Sequence, residues 1–354
     1  MTGLELRDAT ASPTTGVRAL DALVARLLCD PRDAPLLGVV VGMSLVLVPG
    51  ALVLYAPGGF SWPLAAAYLA ALFGLFFDRY ILMLHATRHR RLFRPGLELD
   101  AWVDWALGPL AGQSPCTYHA HHLGMHHVEN NLWADASSTL PYRRDSALDF
   151  LRYWGRFLVA GVVDLVAYLL GRRRTKLARR AALGELAYLA TLGALLWVEW
   201  RATLVVFVVP LVAARFAMMA GNWAQHAFVD PADPGNPYRN SLTTINTRYN
   251  RRCFNDGYHI GHHLKPSRHW SELPGELLEH LDTYRDQGAL VLEGLDFFQV
   301  WALLMVKDHD TLARHVVHLG GAPRSHDETV ALLRARLVAV PEPVVVPVAV
   351  AVAA

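Results

Sequence analysis

The sequence predicts an all-α fold, a polytopic membrane protein with four transmembrane helices in two hairpins and a cytosolic helical cap. Three observations lead there. Hydrophobic residues make up 53% of the 354 positions, with a mean hydropathy of +0.23, and are bunched into blocks. Arginine gathers beside those blocks. Most of the seventeen histidines fall in four short segments at one end of the predicted spans.

Residues 1–33 are polar and mixed in charge. They carry no basic stretch leading into an apolar run and a small-residue cleavage site, so a cytosolic N-terminal segment with no cleaved signal is expected. Residues 36–56 are apolar throughout, and at about 1.5 Å per residue they span the roughly 30 Å hydrocarbon core. A second block, 62–84, follows an Ala-Pro-Gly-Gly-Phe-Ser turn and makes the first hairpin. Arg88, Arg90, Arg91 and Arg94 come after it, and the positive-inside rule places them in the cytoplasm.

The next apolar stretch, about 150–170, carries Arg152, Arg156 and Asp164. If it crossed alone, the histidine segments before and after it would lie on opposite faces of the membrane. It is therefore read as an interfacial helix. The run RRRTKLARR precedes the second hairpin, spans 183–200 and 202–220, whose turn at Glu199, Trp200 and Arg201 is too short for anything but antiparallel neighbours. One membrane domain is thus expected over 34–319. Residues 320–354 are read as a low-complexity tail ending in PEPVVVPVAVAVAA, where proline opposes another span.

A formal charge of +2 argues against a nucleic-acid partner. Cys29, Cys116 and Cys253 form no CxxC pair, which argues against an iron–sulfur cluster or a disulfide framework. Metal chemistry would have to come from histidine. HATRH sets His85 and His89 four apart, on one face of a helix. HAHHLGMHH supplies His119, His121, His122, His126 and His127, with HxxxHH spacing in the last three. GNWAQH places Asn222 four before His226, and GYHIGHH holds His259, His262 and His263. Neutral imidazole ligates iron, zinc or copper, and nine such groups exceed the four that one tetrahedral zinc accepts, so two metals are implied.

In the order HxxxH, HxxxHH, a lone histidine after a late span and HxxHH, the sequence resembles the membrane fatty-acid desaturase superfamily, which also holds alkane monooxygenases and lipid hydroxylases. The resemblance covers roughly Leu36 to Trp270. It implies that His85, His89, His122, His126, His127, His226, His259, His262 and His263 ligate two Fe2+ ions, with Asn222 acting through a water. It also implies O2 as co-substrate, a cap over a transmembrane cone, and a fatty acyl or alkyl chain in a narrow tunnel. Three residues separate the first pair of histidines, against four in the common acyl-CoA desaturases, and three precede the HH pair, against two. Both spacings are closer to alkane hydroxylases and some bacterial desaturase-like enzymes.

Desaturation is the leading reaction, with hydroxylation and decarboxylation to a terminal alkene as alternatives. No haem signature, cysteine cluster or dinucleotide fingerprint is present, so electrons are expected from a separate ferredoxin, rubredoxin or cytochrome with its reductase. A histidine-rich metal transporter is the rival from another class; it would carry its ligands near the bilayer midplane. His119 and His121 are expected to be outer-sphere or structural. His269 is read as structural, and His280, His309, His315, His318 and His326 as solvated or helix-surface residues. Asp78, Asp230 and Asp256 are each read either as orienting a ligand imidazole or as pairing with arginine, and Trp102, Trp105, Trp133, Trp154 and Trp223 either as tunnel lining or as interfacial anchors.

Overall fold

The first long helix begins at a cap. The Asp30 side chain accepts from the Arg32 N–H, Pro31 opens a single 3-10 turn, and a 22-residue helix, Ala34–Tyr55, runs on from it. Ser61 caps the next helix in the same way. In this computed structural model, which describes residues 4–343, four helices among the described residues are long and apolar enough to cross a membrane: Pro31–Tyr55, Trp62–His89, Ala147–Gly171 and Thr175–Gln225. The last has 51 residues and is broken at Glu199, whose φ of −152° and ψ of 89° are non-helical. Its halves touch where Tyr188 Oη donates to the Phe207 carbonyl at 3.3 Å.

Helix Trp62–His89 contains one wide π turn, Leu72–Phe76. Such a turn leaves backbone carbonyls without their usual partner, and Arg252 donates to Gly74 O at 2.8 Å. Residues 99–129 fold into two short helical pieces joined at Gly112–Cys116 and wedged among the long helices. Trp102 Nε1 donates to Ser44 Oγ at 2.9 Å and Tyr80 Oη to Val103 O at 2.7 Å. The turn is seated tightly, because a Cβ on Gly112 would lie 2.1 Å from Pro210 O and one on Gly184 would lie 1.8 Å from Pro115 O.

Helix Ala147–Gly171 touches the segment carrying the second histidine motif near its C-terminal end and the loop that follows that segment nearer its start. Near its start, Tyr153 Oη donates to Ser137 O at 3.0 Å. Near its end, Tyr168 bonds Glu129, and just beyond it Arg174 donates to Gly124 O at 2.7 Å. Leu148, Leu151, Val159 and Val163 lie exposed along one side of the helix.

The all-α expectation needs one correction. Leu242–Ile245 and Leu290–Glu293 pair as a two-stranded parallel sheet, and all four residues of the first strand are buried. This pairing braces the loop before the last histidine motif. Thr244 N–H donates to Gly257 O at 2.8 Å, and Asn250 clamps the same loop by accepting from Gly257 N and donating to Thr244 O. From the N-terminal segment, the Asp8 carboxylate accepts from the N–H groups of Asn246 and Thr247 and from Tyr258 Oη.

The expected tail boundary at 320 also falls too early. Ser325 and Glu328 form a reciprocal capping box for helix His326–Ala335, whose Val330 and Leu333 are buried. The cause is a buried arginine. Arg144 donates to the carbonyls of Ala227, Arg336 and Val338, tying this segment to the stretch just past His226. Most of PEPVVVPVAVAVAA lies outside the described residues.

Candidate metal centre

His85 and His89 project from the last turns of helix Trp62–His89, and His226 caps the end of the helix Val209–Gln225. His122, His126 and His127 come from the wedged segment, and the short helix His259–Leu264 supplies the remaining three. These elements converge so that the ring nitrogens of His85, His122, His127 and His262 form one quartet and those of His126, His226, His259 and His263 a second. Within each quartet the four ligand atoms lie within 4.8 Å of one another. His89 joins the first, its Nε2 2.9 Å from His122 Nε2.

The division within the second motif departs from simple helical spacing. On an α-helix, His122 and His126 would share a face. Here His122–His126 is a π turn closed by a bond from His127 N–H to His122 O, and the wider turn sets the rings of His122 and His127 edge to face with centroids 4.4 Å apart. His126 is thereby released to the other quartet.

Distances within the quartets fit a shared cation. The Nε2 atoms of His85 and His262 are 2.8 Å apart, those of His127 and His262 2.9 Å, those of His259 and His263 3.0 Å, and those of His226 and His259 3.2 Å. Two nitrogens about 2.1 Å from one metal stand roughly 3.0 Å apart at right angles and roughly 3.4 Å apart in a tetrahedron. The observed spread matches the right-angled, higher-coordinate case, and an all-imidazole donor set suits iron better than magnesium or calcium.

The outer partners fix which nitrogen is free. His85 Nδ1 bonds Asp256, His126 Nδ1 lies 2.8 Å from an Asp135 oxygen, and His226 Nδ1 lies 2.8 Å from the Asn240 carbonyl. Each acceptor requires a proton on Nδ1, which leaves Nε2 a bare lone pair. Lone pairs packed this closely repel unless a cation lies among them. Burial, then the neighbouring imidazoles, holds His122, His259, His262 and His263 well below 6.5, and burial pushes His226 down to about 3; these rings are neutral and ready to ligate at neutral pH. Burial would raise the Asp135 carboxyl, but His126, His121 and the Ser137 hydroxyl together outweigh it and keep Asp135 well below the usual carboxylate range.

Asp135 and Asn240 were not singled out from the sequence; for Asp135 the only available signal was a carboxylate nine residues after a candidate ligand. Asp256 orients His85 and is itself held by Tyr249 Oη and Gln225 Nε2. Asp78 and Asp230 pair with arginines instead, Asp78 with Arg252 and Asp230 with Arg336. Asp135→Asn and Asp256→Asn are each expected to weaken metal binding about 10–100-fold, read by titration against a chelator. Unchanged affinity in both would remove the orienting role.

Asn222 is buried, and its amide donates to Ser137 O at 2.9 Å and Tyr153 Oη at 2.7 Å. His121 joins neither quartet, and His119 lines a separate cavity with Arg88, Asp104 and Arg180. His269 bonds Asp33, as befits a structural residue. His309 is a correction to the solvated set: it is buried, with Nε2 3.2 Å from Asp145, where helix His309–Arg314 packs inward.

A cavity opens beside the quartets, with His85, His122, His126 and His259 in its wall and Phe77, Ile81, Leu82, Met218, Met219 and Phe298 forming much of the rest. No tryptophan lines it. Trp223 is instead buried with Nε1 donating to Arg144 O, Trp102 is tied to Ser44 and Trp133 to Val340 O. The site therefore brings two clusters of imidazole nitrogen to the side of an apolar space.

Among families of known proteins, a model described as fatty acid desaturase matches residues 60–293. No curated protein and no solved structure matches the chain.

Proposed function

The chain belongs to the fatty acid desaturase family, and from that membership we propose that it is a di-iron, O2-dependent oxidoreductase that desaturates a fatty acyl or alkyl chain. The family makes it a lipid-modifying oxidoreductase and an integral membrane protein. One observation carries the finer reading: two imidazole quartets with right-angled spacing flank one apolar cavity. His85, His89, His122, His127 and His262 would hold one iron and His126, His226, His259 and His263 the other, with Asn222 acting through a water. Iron supplies the activation of O2 against an unactivated carbon–hydrogen bond, which acid–base side chains lack.

The protein's own residues do the rest. Asp256 and Asp135 hold two ligand rings in the tautomer that presents Nε2. Phe77, Ile81, Met218 and Phe298 bind the chain and exclude water from it, which limits side reactions. Electrons come from a separate carrier, a ferredoxin, rubredoxin or cytochrome with its reductase.

Four spans in two hairpins, with the metal site on the cytoplasmic side, are the topology we favour. Helix Ala147–Gly171 is long enough to cross. Two features support placing it at the interface. It touches the second-motif segment near one end and the loop just after that segment nearer the other, and His126 shares a quartet with His226, which lies beyond it in the chain. With the Thr175–Gln225 helix crossing twice, a further single crossing would separate those two residues.

Purified protein supplied with reductant and labelled fatty acids, offered free, as thioesters and in phospholipid, is expected to yield an alkene, to contain about two irons per chain, and to lose activity on chelation. Recovery of an oxygenated product without an alkene would replace desaturation by hydroxylation. Full turnover after complete removal of iron would end the di-iron reading.

A further inference from the structure

His121 stands at a junction. It lines the metal-side cavity and a second, smaller one, and the two cavities also share Tyr118 and Met218. Its ring stacks 6.2 Å from that of His126 and meets Phe157 edge-on at 5.9 Å, so it lies beside the ligands without being one. Its Nε2 is buried and has no hydrogen-bond partner among the described residues. A buried nitrogen left unpaired is costly, and an all-hydrocarbon ligand would leave it so.

Of the other polar side chains around the second cavity, Thr117, Ser114, Gln113 and Arg215 have partners elsewhere, whereas Tyr118, which lines both cavities, has no side-chain hydrogen bond among the described residues. Thr117 Oγ1 donates to Ser114 O at 2.7 Å, Ser114 donates to Glu185, and Gln113 Nε2 lies 2.9 Å from Met218 Sδ. Arg215 pairs with Glu185 at 2.7 Å and donates to Leu158 O at 2.6 Å. The second cavity has a volume of about 30 Å3, room for one or two water-sized groups.

We propose that His121 binds a small oxygen-bearing head group of the substrate, a free carboxyl or a hydroxyl, lodged in the second cavity while the chain lies along the apolar one. This rests on the di-iron reading above and deepens it. The head sits inside the protein next to the irons, so a thioester or phospholipid head is too large to occupy the site. Oxidation then falls on carbons near the head and not far along the chain.

The test is a binding measurement on the full-length, iron-loaded protein in detergent, using equilibrium dialysis of labelled C12–C18 fatty acids, the matching alcohols, n-alkanes and acyl thioesters. The acid or the alcohol is expected to bind about tenfold or more tighter than the alkane and the thioester, as one hydrogen bond made at a buried site allows. Preference for the acid alone assigns a carboxylate; preference for both assigns a simple oxygen contact. His121→Phe should remove the preference and keep about two irons per chain, and His121→Gln should restore part of it. Equal binding of alkane or thioester by the native protein overturns the proposal. An unchanged preference in His121→Phe, as expected if a water alone meets His121, also overturns it, as does loss of iron in both variants. Because binding is read apart from turnover, a protein that binds the acid selectively but lacks iron or oxidised product would overturn the enzyme reading and leave the head-group site standing.

Discussion

His262→Ala and His263→Ala are expected to abolish turnover, each by more than the roughly 10–100-fold typical of losing an outer-sphere partner, and each is expected to lower bound iron from about two to about one per chain. The two residues are adjacent in sequence yet serve different quartets. His262 Nε2 lies 2.8 Å from that of His85 and 2.9 Å from that of His127. His263 Nε2 lies 3.0 Å from that of His259, and its quartet includes His126 and His226. Each variant should therefore keep the iron that the other loses. Metal analysis with Mössbauer spectroscopy checks this, since the single remaining signal should differ between the variants. The same remaining signal in both, or two irons with normal oxidation in either, would contradict the assignment.

The way these histidines divide separates what was legible in the sequence from what was not. The nine ligand candidates came from the ordered motifs and the family resemblance those motifs carry, and helical pairs such as His85 with His89 and His259 with His263 need only a regular backbone to face one way. The interruption at Glu199 was equally legible, since Glu-Trp-Arg interrupts two apolar runs. The regrouping of His122 with His127 was not. A π turn is selected by packing around it: Leu169 and Leu177 crowd Gly124, where an added Cβ would lie 2.6 Å from Leu177. No local propensity records that contact.

Long-range bonds explain the other differences. Asp135 reaches His126 only because the Asp135–Ser137 turn folds back on it, with Ser137 N–H and Oγ donating to Asp135 Oδ1. The parallel pairing of Leu242–Ile245 with Leu290–Glu293 joins strands far apart in sequence, and the order of helix His326–Ala335 depends on Arg144 nearly two hundred residues earlier. Local pattern reports a helix or a cap; it is silent on a partner that distant.

Gly112→Ala is expected to have the largest effect on stability, because two independent costs meet at one position. Its φ of +76° lies in the left-handed region, and a Cβ there would sit 2.1 Å from Pro210 O and 2.3 Å from Pro210 C, where backbone cannot swing aside. Left-handed backbone and overpacking together amount to about 2–5 kcal/mol, a large share of the 5–15 kcal/mol of a typical fold. Gly155→Ala is the matched control: nothing lies within 4 Å of its added Cβ inside helix Ala147–Gly171, so it should be neutral or stabilising by up to about 1 kcal/mol. Thermal unfolding in detergent compares the two, and equal midpoints for Gly112→Ala and the native protein would remove the wedged turn as a stability element. Iron content makes the comparison specific. The turn at Gly112 leads directly into Thr117–His121 and the π turn that feeds His122 and His127 to one quartet and His126 to the other. Displacing it should therefore lower both irons together, whereas His262→Ala and His263→Ala remove one each.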